Sequence, residues 1–196
     1  MPIPKILVLP GSTRTGSHNV RLAALAAKEL TLLDVNVTRI SLADYPLPIY
    51  EADIDAREGQ PVNAVKLKQM IMAHQGVFIA CPEYSASVTP MLKNAIDWVS
   101  RVRERGDPTY AAFKGRVFAI ASASPGRAGG LRSLMALRQI LELGCGALVI
   151  PEQVAIQRAD SAFDEMDNIA DLGTANLFRV QLERLVEMAR LMVRGG

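Results

Sequence analysis

Nine residues near the start of the chain, Gly11 to Asn19, concentrate hydrogen-bond donors in a turn. Gly11 and Gly16 allow a tight backbone reversal. Successive N–H groups in such a turn form an anion-binding nest, and a following helix adds its positive N-terminus. Ser12, Thr13, Ser17 and Asn19 bring side-chain donors, and Arg14 brings a positive charge. No Lys follows a glycine in the G-x-x-x-x-G-K-[ST] pattern, and G-x-G-x-x-G is absent. A nucleoside triphosphate loop and the dinucleotide fingerprint are therefore both disfavoured. Donors without Lys suit a phosphate monoester. The structural alternative is an ordinary strand-to-helix turn with Ser17 as N-cap.

Two further segments carry polar, turn-forming residues just after apolar runs. Cys81 to Pro90 contains Pro82, Glu83, Tyr84 and Ser85. Its amides suit the polar edge of a planar heterocycle, and Tyr84 suits packing against the ring. The structural alternatives are a solvated Glu83 and a half-buried Tyr84. Ser122 to Gly130 is rich in small residues and Gly, a possible third wall or a flexible connector with Ser124 as a cap. His18 lies inside the first turn and has a ligand-side role only if that turn binds a cofactor. His74 ends a helical stretch, where a cation suits the dipole.

The elements that must position these turns alternate along the chain. Apolar runs at Lys5–Leu9, Val35–Ile40, Gly76–Cys81, Arg116–Ser122 and Ala147–Ile150 read as strands. Helical spacing covers Val20–Leu30, Pro61–His74, the stretch opened by Thr89 and Pro90, Leu131–Leu143, and Ala175–Val193. Met91, Leu92, Ala95, Ile96, Val99 and Val102 form one apolar stripe. Near-continuously apolar strands alternating with helices predict an α/β fold, a parallel sheet covered on both faces. In such sheets ligands bind at the C-terminal ends of the strands, where all three turns fall. Ala43–Gln60 and Arg103–Lys114 read as long irregular loops.

Composition narrows the remaining classes. The 196 residues are 49% apolar, with 22 basic and 20 acidic side chains and a net charge of +2. That is one domain, 1–196, of globular type, with no basic excess to draw nucleic acid. Cys81 and Cys145 are far apart and read as buried thiols of a reducing compartment, not as a metal or disulfide site. Met1 to Leu9 carries Pro2 and Pro4 and lacks a signal-peptide pattern, and no apolar run is long enough to span a bilayer. The expectation is a cytoplasmic protein without membrane contact.

Taken together, Gly11, Ser12, Arg14, Gly16, Ser17 and Asn19, then Pro82-Glu83-Tyr84, then Leu92-Lys93-Asn94-Ala95-Ile96-Asp97-Trp98 resemble the NADPH-dependent FMN reductase family. That family includes bacterial quinone, chromate and azo-dye reductases. The resemblance implies a flavodoxin-like three-layer sandwich with a five-stranded parallel sheet ordered 2-1-3-4-5. It also implies bound FMN, NADPH or NADH as co-substrate, a small-molecule electron acceptor, and self-association as a dimer or tetramer. Carried over by position, Ser12, Arg14, Ser17 and Asn19 bind the FMN phosphate, with His18 beside them. Pro82, Glu83, Tyr84 and Ser85 line the flavin ring, and Ser122 and Gly126 form the third wall. Where the family usually has Asn, this sequence has Ser85, whose shorter side chain leaves the backbone amide role intact.

On the helix that carries the last motif, Asp97 is spaced to pair with Arg101, and Trp98 is large enough to meet a partner subunit. Hydride transfer through flavin needs no obligatory protein acid or base. The rival readings are a non-enzymatic FMN electron carrier, which the near-neutral charge disfavours, and a binding or sensory module for another phosphorylated ligand.

Overall fold

The computed structural model describes residues 3–194. Five parallel strands form one sheet in the order β2-β1-β3-β4-β5. They are β1 (Lys5–Pro10), β2 (Asn36–Arg39), β3 (Gly76–Ala80), β4 (Val117–Ala123) and β5 (Leu148–Ile156). Between and after them run α1 (His18–Thr31), α2 (Ala52–Glu58), α3 (Val62–Met72), α4 (Pro90–Arg101), α5 (Leu131–Gln139) and α6 (Leu172–Arg194).

Side chains alternate across the sheet, and both faces are buried, which is why the strands are apolar throughout. Ile6, Val8, Phe78, Ala80, Ala119 and Ala121 face α1 and α6. Leu7, Leu9, Val77, Ile79, Phe118 and Ile120 face α3, α4 and α5. Phe78 and Phe178 of α6 meet edge to face, with centroids 5.9 Å apart. On the other face α4 approaches β1 closely. A Cβ on Gly11 would lie 2.9 Å from Leu92 Cδ2 and 3.1 Å from Pro82 Cδ, so a larger residue there would push α4 or the second turn away.

Outside the three turns, the structure departs from the sequence expectations in four places. β5 continues past Ile150 to Ile156, because a bulge absorbs Pro151. Phe118 pairs with Val149, and two residues on, Ile120 pairs with Gln153, so β5 carries two extra residues. Gln181 of α6 donates to the carbonyls of Ile120 and Glu152 at the bulge, at 2.8 and 3.0 Å.

The stretch Ala43–Gln60 is not an unstructured loop. It holds α2, whose N-terminus is capped by Glu51, and it is fastened to α4. Asn94 accepts from Tyr50 N at 2.7 Å and donates to Pro48 O at 2.9 Å. Trp98 Nε1 donates to the same Pro48 carbonyl at 2.7 Å, and its ring meets Tyr50 edge to face at 5.0 Å. Trp98 is thus fully buried within its own chain and offers no surface to a partner.

The third departure is Asp97, which pairs backward with Lys93 at 2.8 Å rather than forward with Arg101. The fourth is His74. It is buried, with Nδ1 donating to Met70 O and Nε2 accepting from Thr38 Oγ. Burial lowers its pKa, so it is a neutral packing residue and not a cation on the helix end.

Candidate functional site

Three backbone hydrogen bonds bring the turns to one edge of the sheet. Gly11 N donates to Ala80 O, Cys81 N to Ala121 O, and Ser124 N to Ile156 O. The turns after β1, β3 and β4 therefore open side by side at the C-terminal end. Between them lies a cleft of about 100 Å³, lined by Ser12, Arg14, Ser17 and His18, then Pro82 to Tyr84, then Ala123 to Pro125. Asn19 completes the lining. Two larger hollows flank the N-terminal part of α6, and neither is lined by any residue of the three turns.

The first turn presents unengaged donors. Ser17 stands at the N-cap position of α1 with an extended backbone, yet its side chain makes no capping bond although the residue is buried. Capping thus does not explain this serine. Among the described residues, the N–H groups of Thr13, Thr15 and Gly16 have no backbone acceptor. Those of His18 and Asn19 open α1, where no intrahelical partner exists. Ser12 Oγ accepts from Arg14 N at 3.2 Å. The Arg14 guanidinium folds back onto the carbonyls of Thr15 and Gly16, at 3.2 and 3.4 Å, with no carboxylate partner among the described residues. His18 Nε2 meets Asp160 Oδ1, from the segment between β5 and α6, at 3.1 Å.

Asn19 behaves differently from its neighbours. Its Nδ2 donates to Ala123 O at 2.8 Å and its Oδ1 accepts from Ala123 N at 3.0 Å. The side chain expected on the phosphate instead fastens the first turn to the end of β4.

The second turn is held from both ends. Thr89 caps α4 by accepting from Leu92 N, and its hydroxyl donates to Gly11 O at 2.6 Å. Glu83, expected to line a ring, turns its carboxylate to the start of α5. It accepts from Arg132 N at 3.1 Å, Ser133 N at 3.3 Å and Arg132 Nε at 2.8 Å, and from Arg132 Nη2 as well. Burial pushes this carboxyl up, but the Arg132 side chain and the two amides outweigh it, and the net pKa lies below the ordinary carboxylate value. Glu83 is therefore a fixed anion that positions α5, while its backbone borders the cleft.

Tyr84 and Ser87 exchange both backbone hydrogen bonds at 3.0 Å around Ser85 (φ 47°) and Ala86 (φ 62°). Two central residues with positive φ make a type I′ turn. It leaves Tyr84 half exposed at the mouth of the cleft, and Ser85 sits at the turn tip.

On the third wall the lining residues are Ala123, Ser124 and Pro125. Ser122 is fully buried on the other side of β4, because neighbouring strand residues face opposite ways. A Cβ on Gly130 would collide with its hydroxyl. Gly126 is exposed just beyond the lining, its N–H on Ser124 Oγ at 3.4 Å. Sequence reasoning missed Arg132 and Asp160. Arg132 begins a helix and resembles any solvated cation, and Asp160 follows a strand read as ending at Ile150.

The sequence profile of NADPH-dependent FMN reductases matches residues 4–161. The chain belongs to the NADPH-dependent FMN reductase family. It is 36% identical over 183 residues to an NAD(P)H-dependent FMN reductase of Pseudomonas aeruginosa, covering 92% of each chain. A quinone reductase of Escherichia coli is 38% identical over 138 residues, 70% of this chain and 69% of that one. Among solved structures, the flavoenzyme NAD(P)H:(acceptor) oxidoreductase FerB of Paracoccus denitrificans superposes with a TM-score of 0.79. It is 26% identical and covers 97% of this chain and 99% of its own. This member of the family is an NAD(P)H-dependent flavin oxidoreductase with the flavodoxin-like sheet order.

Proposed function

We propose that the cleft binds FMN with its phosphate on the Ser12–Asn19 turn and its ring between the second and third turns, and that the acceptor is a quinone or similarly small oxidant. The observation that carries this reading is the Ser17 hydroxyl, free of any capping bond and lining the cleft, at the N-terminus of α1 beside unpaired amides. Such a donor set fits a phosphate monoester. When bound, FMN supplies two-electron redox chemistry between NAD(P)H and the acceptor.

The chain's own residues bind and orient. Ser12, Ser17 and the amides of the first turn hold the phosphate, with Arg14 adding charge once its guanidinium leaves the Thr15 and Gly16 carbonyls. Pro82, Tyr84 and the Ser85 amide border the ring on one side, and Ala123 to Pro125 on the other. Asn19 and Glu83 fix the walls. Glu83 is not free to act as an acid or base there, since its carboxylate is committed to Arg132 and α5.

Cytoplasmic residence belongs to the same proposal. Among the described residues no helix is long and apolar enough to cross a membrane. Self-association as a dimer or tetramer does too, but its support moves from Trp98 to α5. Leu131 and Met135 lie one turn apart and are exposed, and Glu83 ties Tyr84 to the same helix start. A monomeric mass in light scattering would remove this part.

The test is an absorption spectrum of the purified protein with FMN, before and after anaerobic NADPH. The expected outcome is a bound flavin spectrum that bleaches and returns on adding a quinone. Failure to take up FMN, or failure to bleach, overturns the reading.

A further inference from the structure

We infer that Glu83 sets the charge selectivity of the electron acceptor: by neutralising Arg132 beside the mouth of the cleft, it denies anionic oxidants an advantage over uncharged quinones. The inference rests on the flavin reading proposed above.

The Glu83 carboxylate does two things at once. α5 is preceded by Gly130, in the left-handed region at φ 88°, which has no side chain to cap the helix. Glu83 supplies the cap from the second turn, its Oε2 accepting from Arg132 N at 3.1 Å and Ser133 N at 3.3 Å. Its Oε1 accepts from Arg132 Nε at 2.8 Å and from Arg132 Nη2. The two tasks make different chemical demands. A neutral side-chain oxygen also accepts from an amide. Only an anion cancels both a guanidinium and the positive end of a helix.

The exposure of the pair is lopsided. The Glu83 side chain is 8% exposed and that of Arg132 is 60% exposed. Solvent and small molecules therefore meet the cation, with the carboxylate beneath it. The pair adjoins Tyr84, which is half exposed at the cleft mouth. Apart from Glu83, the ring-side lining of Pro82, Tyr84 and Ala123 to Pro125 brings no Lys, Arg, Asp or Glu. Arg14 stands at the phosphate end, folded on its own turn. Arg127 is exposed on the third turn, just past the lining, and keeps its charge whatever stands at position 83. Glu83 thus decides whether a second cation, Arg132, is bare where an acceptor enters. A bare surface cation raises the local concentration of anions, and salt screens the effect.

The test compares kcat/KM of the FMN-loaded enzyme for naphthoquinone and for naphthoquinone sulfonate, at one NADPH concentration. The ratio of anionic to neutral acceptor cancels any effect on the nicotinamide nucleotide. Glu83→Gln should raise that ratio about threefold at about 0.01 M salt, the size of one unscreened charge a few ångströms away in water. The gain should vanish near about 1 M salt. Arg132→Gln leaves the carboxylate uncompensated and the backbone cap in place, and should lower the ratio below native. The double variant Glu83→Gln/Arg132→Gln has no net charge there and should return the ratio to the native value, whatever its absolute rates. A merely structural Glu83 would slow both acceptors alike and leave the ratio and its salt dependence unchanged. Should Glu83→Gln fail to fold, Arg132→Gln decides alone.

An unchanged ratio in Arg132→Gln, or a double variant still shifted as far as Glu83→Gln, overturns the inference while leaving the proposed function standing. No NADPH oxidation by the native FMN-loaded enzyme with either acceptor overturns both.

Discussion

Asn19 and Ala123 hydrogen-bond each other twice, side-chain amide to backbone, and so join the start of α1 to the end of β4 inside the cleft. Both residues are buried. The amide of Asn19 satisfies an N–H and a C=O on the side of β4 where β3 has ended at Ala80, and it sets the distance between the phosphate turn and the third wall.

Removing the Asn19 amide should therefore weaken both folding and FMN binding. Asn19→Ala leaves two buried backbone groups unpaired, at a cost of about 2–4 kcal/mol for the pair. Asn19→Asp keeps the acceptor for Ala123 N but sets an oxygen against Ala123 O, and should be at least as damaging. Urea midpoints and FMN titration check this. An Asn19→Ala protein with native stability and affinity would show that the double bond is dispensable.

The Glu83 carboxylate gives an acid limit to the same site. Its folded pKa is depressed, so its contribution is present above the unfolded value and is lost as pH falls through the folded one. The loss falls below about pH 4.3, where an unfolded Glu takes up its proton. Glu83→Gln should remove that part of the acid dependence and destabilise at pH 7 by about 1 kcal/mol, the scale of a lost helix cap. Stability against pH for both proteins decides it. Parallel curves would assign the acid sensitivity elsewhere.

Ser85 and Ala86 occupy left-handed backbone regions that favour Asn and Gly. Ala86→Gly should stabilise by about 0.5–1 kcal/mol, since relief of the left-handed strain exceeds the added entropy of the unfolded chain. Ser85→Asn, the residue the family usually carries there, should also raise the melting temperature. FMN affinity should hold, because the turn geometry and its amides are kept. A lowered melting temperature in both variants would mean the turn is not the type I′ form.

What the sequence made legible follows from what kind of interaction each feature depends on. The five strands are visible because burial on both faces leaves continuous apolar runs, as at Lys5–Pro10 and Gly76–Ala80. The three turns are visible because glycines and small polar residues interrupt those runs. Long-range partners leave no such trace. Asn19 has the look of a phosphate ligand, and only the fold shows Ala123 across from it. Glu83 resembles a loop carboxylate until α5 is placed beside it. Trp98 belongs to a helix whose apolar stripe says that it is covered, but not that Pro48 and Tyr50 of the same chain cover it. Pro151 marks a strand end by local rules, and the bulge against β4 is what lets β5 continue.

The two thiols supply the last prediction. Cys81 lies under the second turn and Cys145 at the end of the helical stretch after α5, and both are buried. Burial pushes Cys81 up to about 12 and Cys145 up to about 11. The thiolate is the reactive form, so almost none is available at neutral pH. At pH 8 a thiol reagent such as Ellman's should react with neither cysteine in the native protein on the minute scale, and with both after unfolding in guanidinium. Cys145 should respond first as native-state conditions are weakened, because it lies ahead of β5, at the end of the sheet opposite the cleft. FMN should slow the reaction of Cys81 in particular, because ligand that binds only the native state suppresses the opening that exposes a thiol next to Pro82. Fast native-state labelling of Cys81, unaffected by FMN, would contradict the packing of the second turn on which the ring side of the cleft depends.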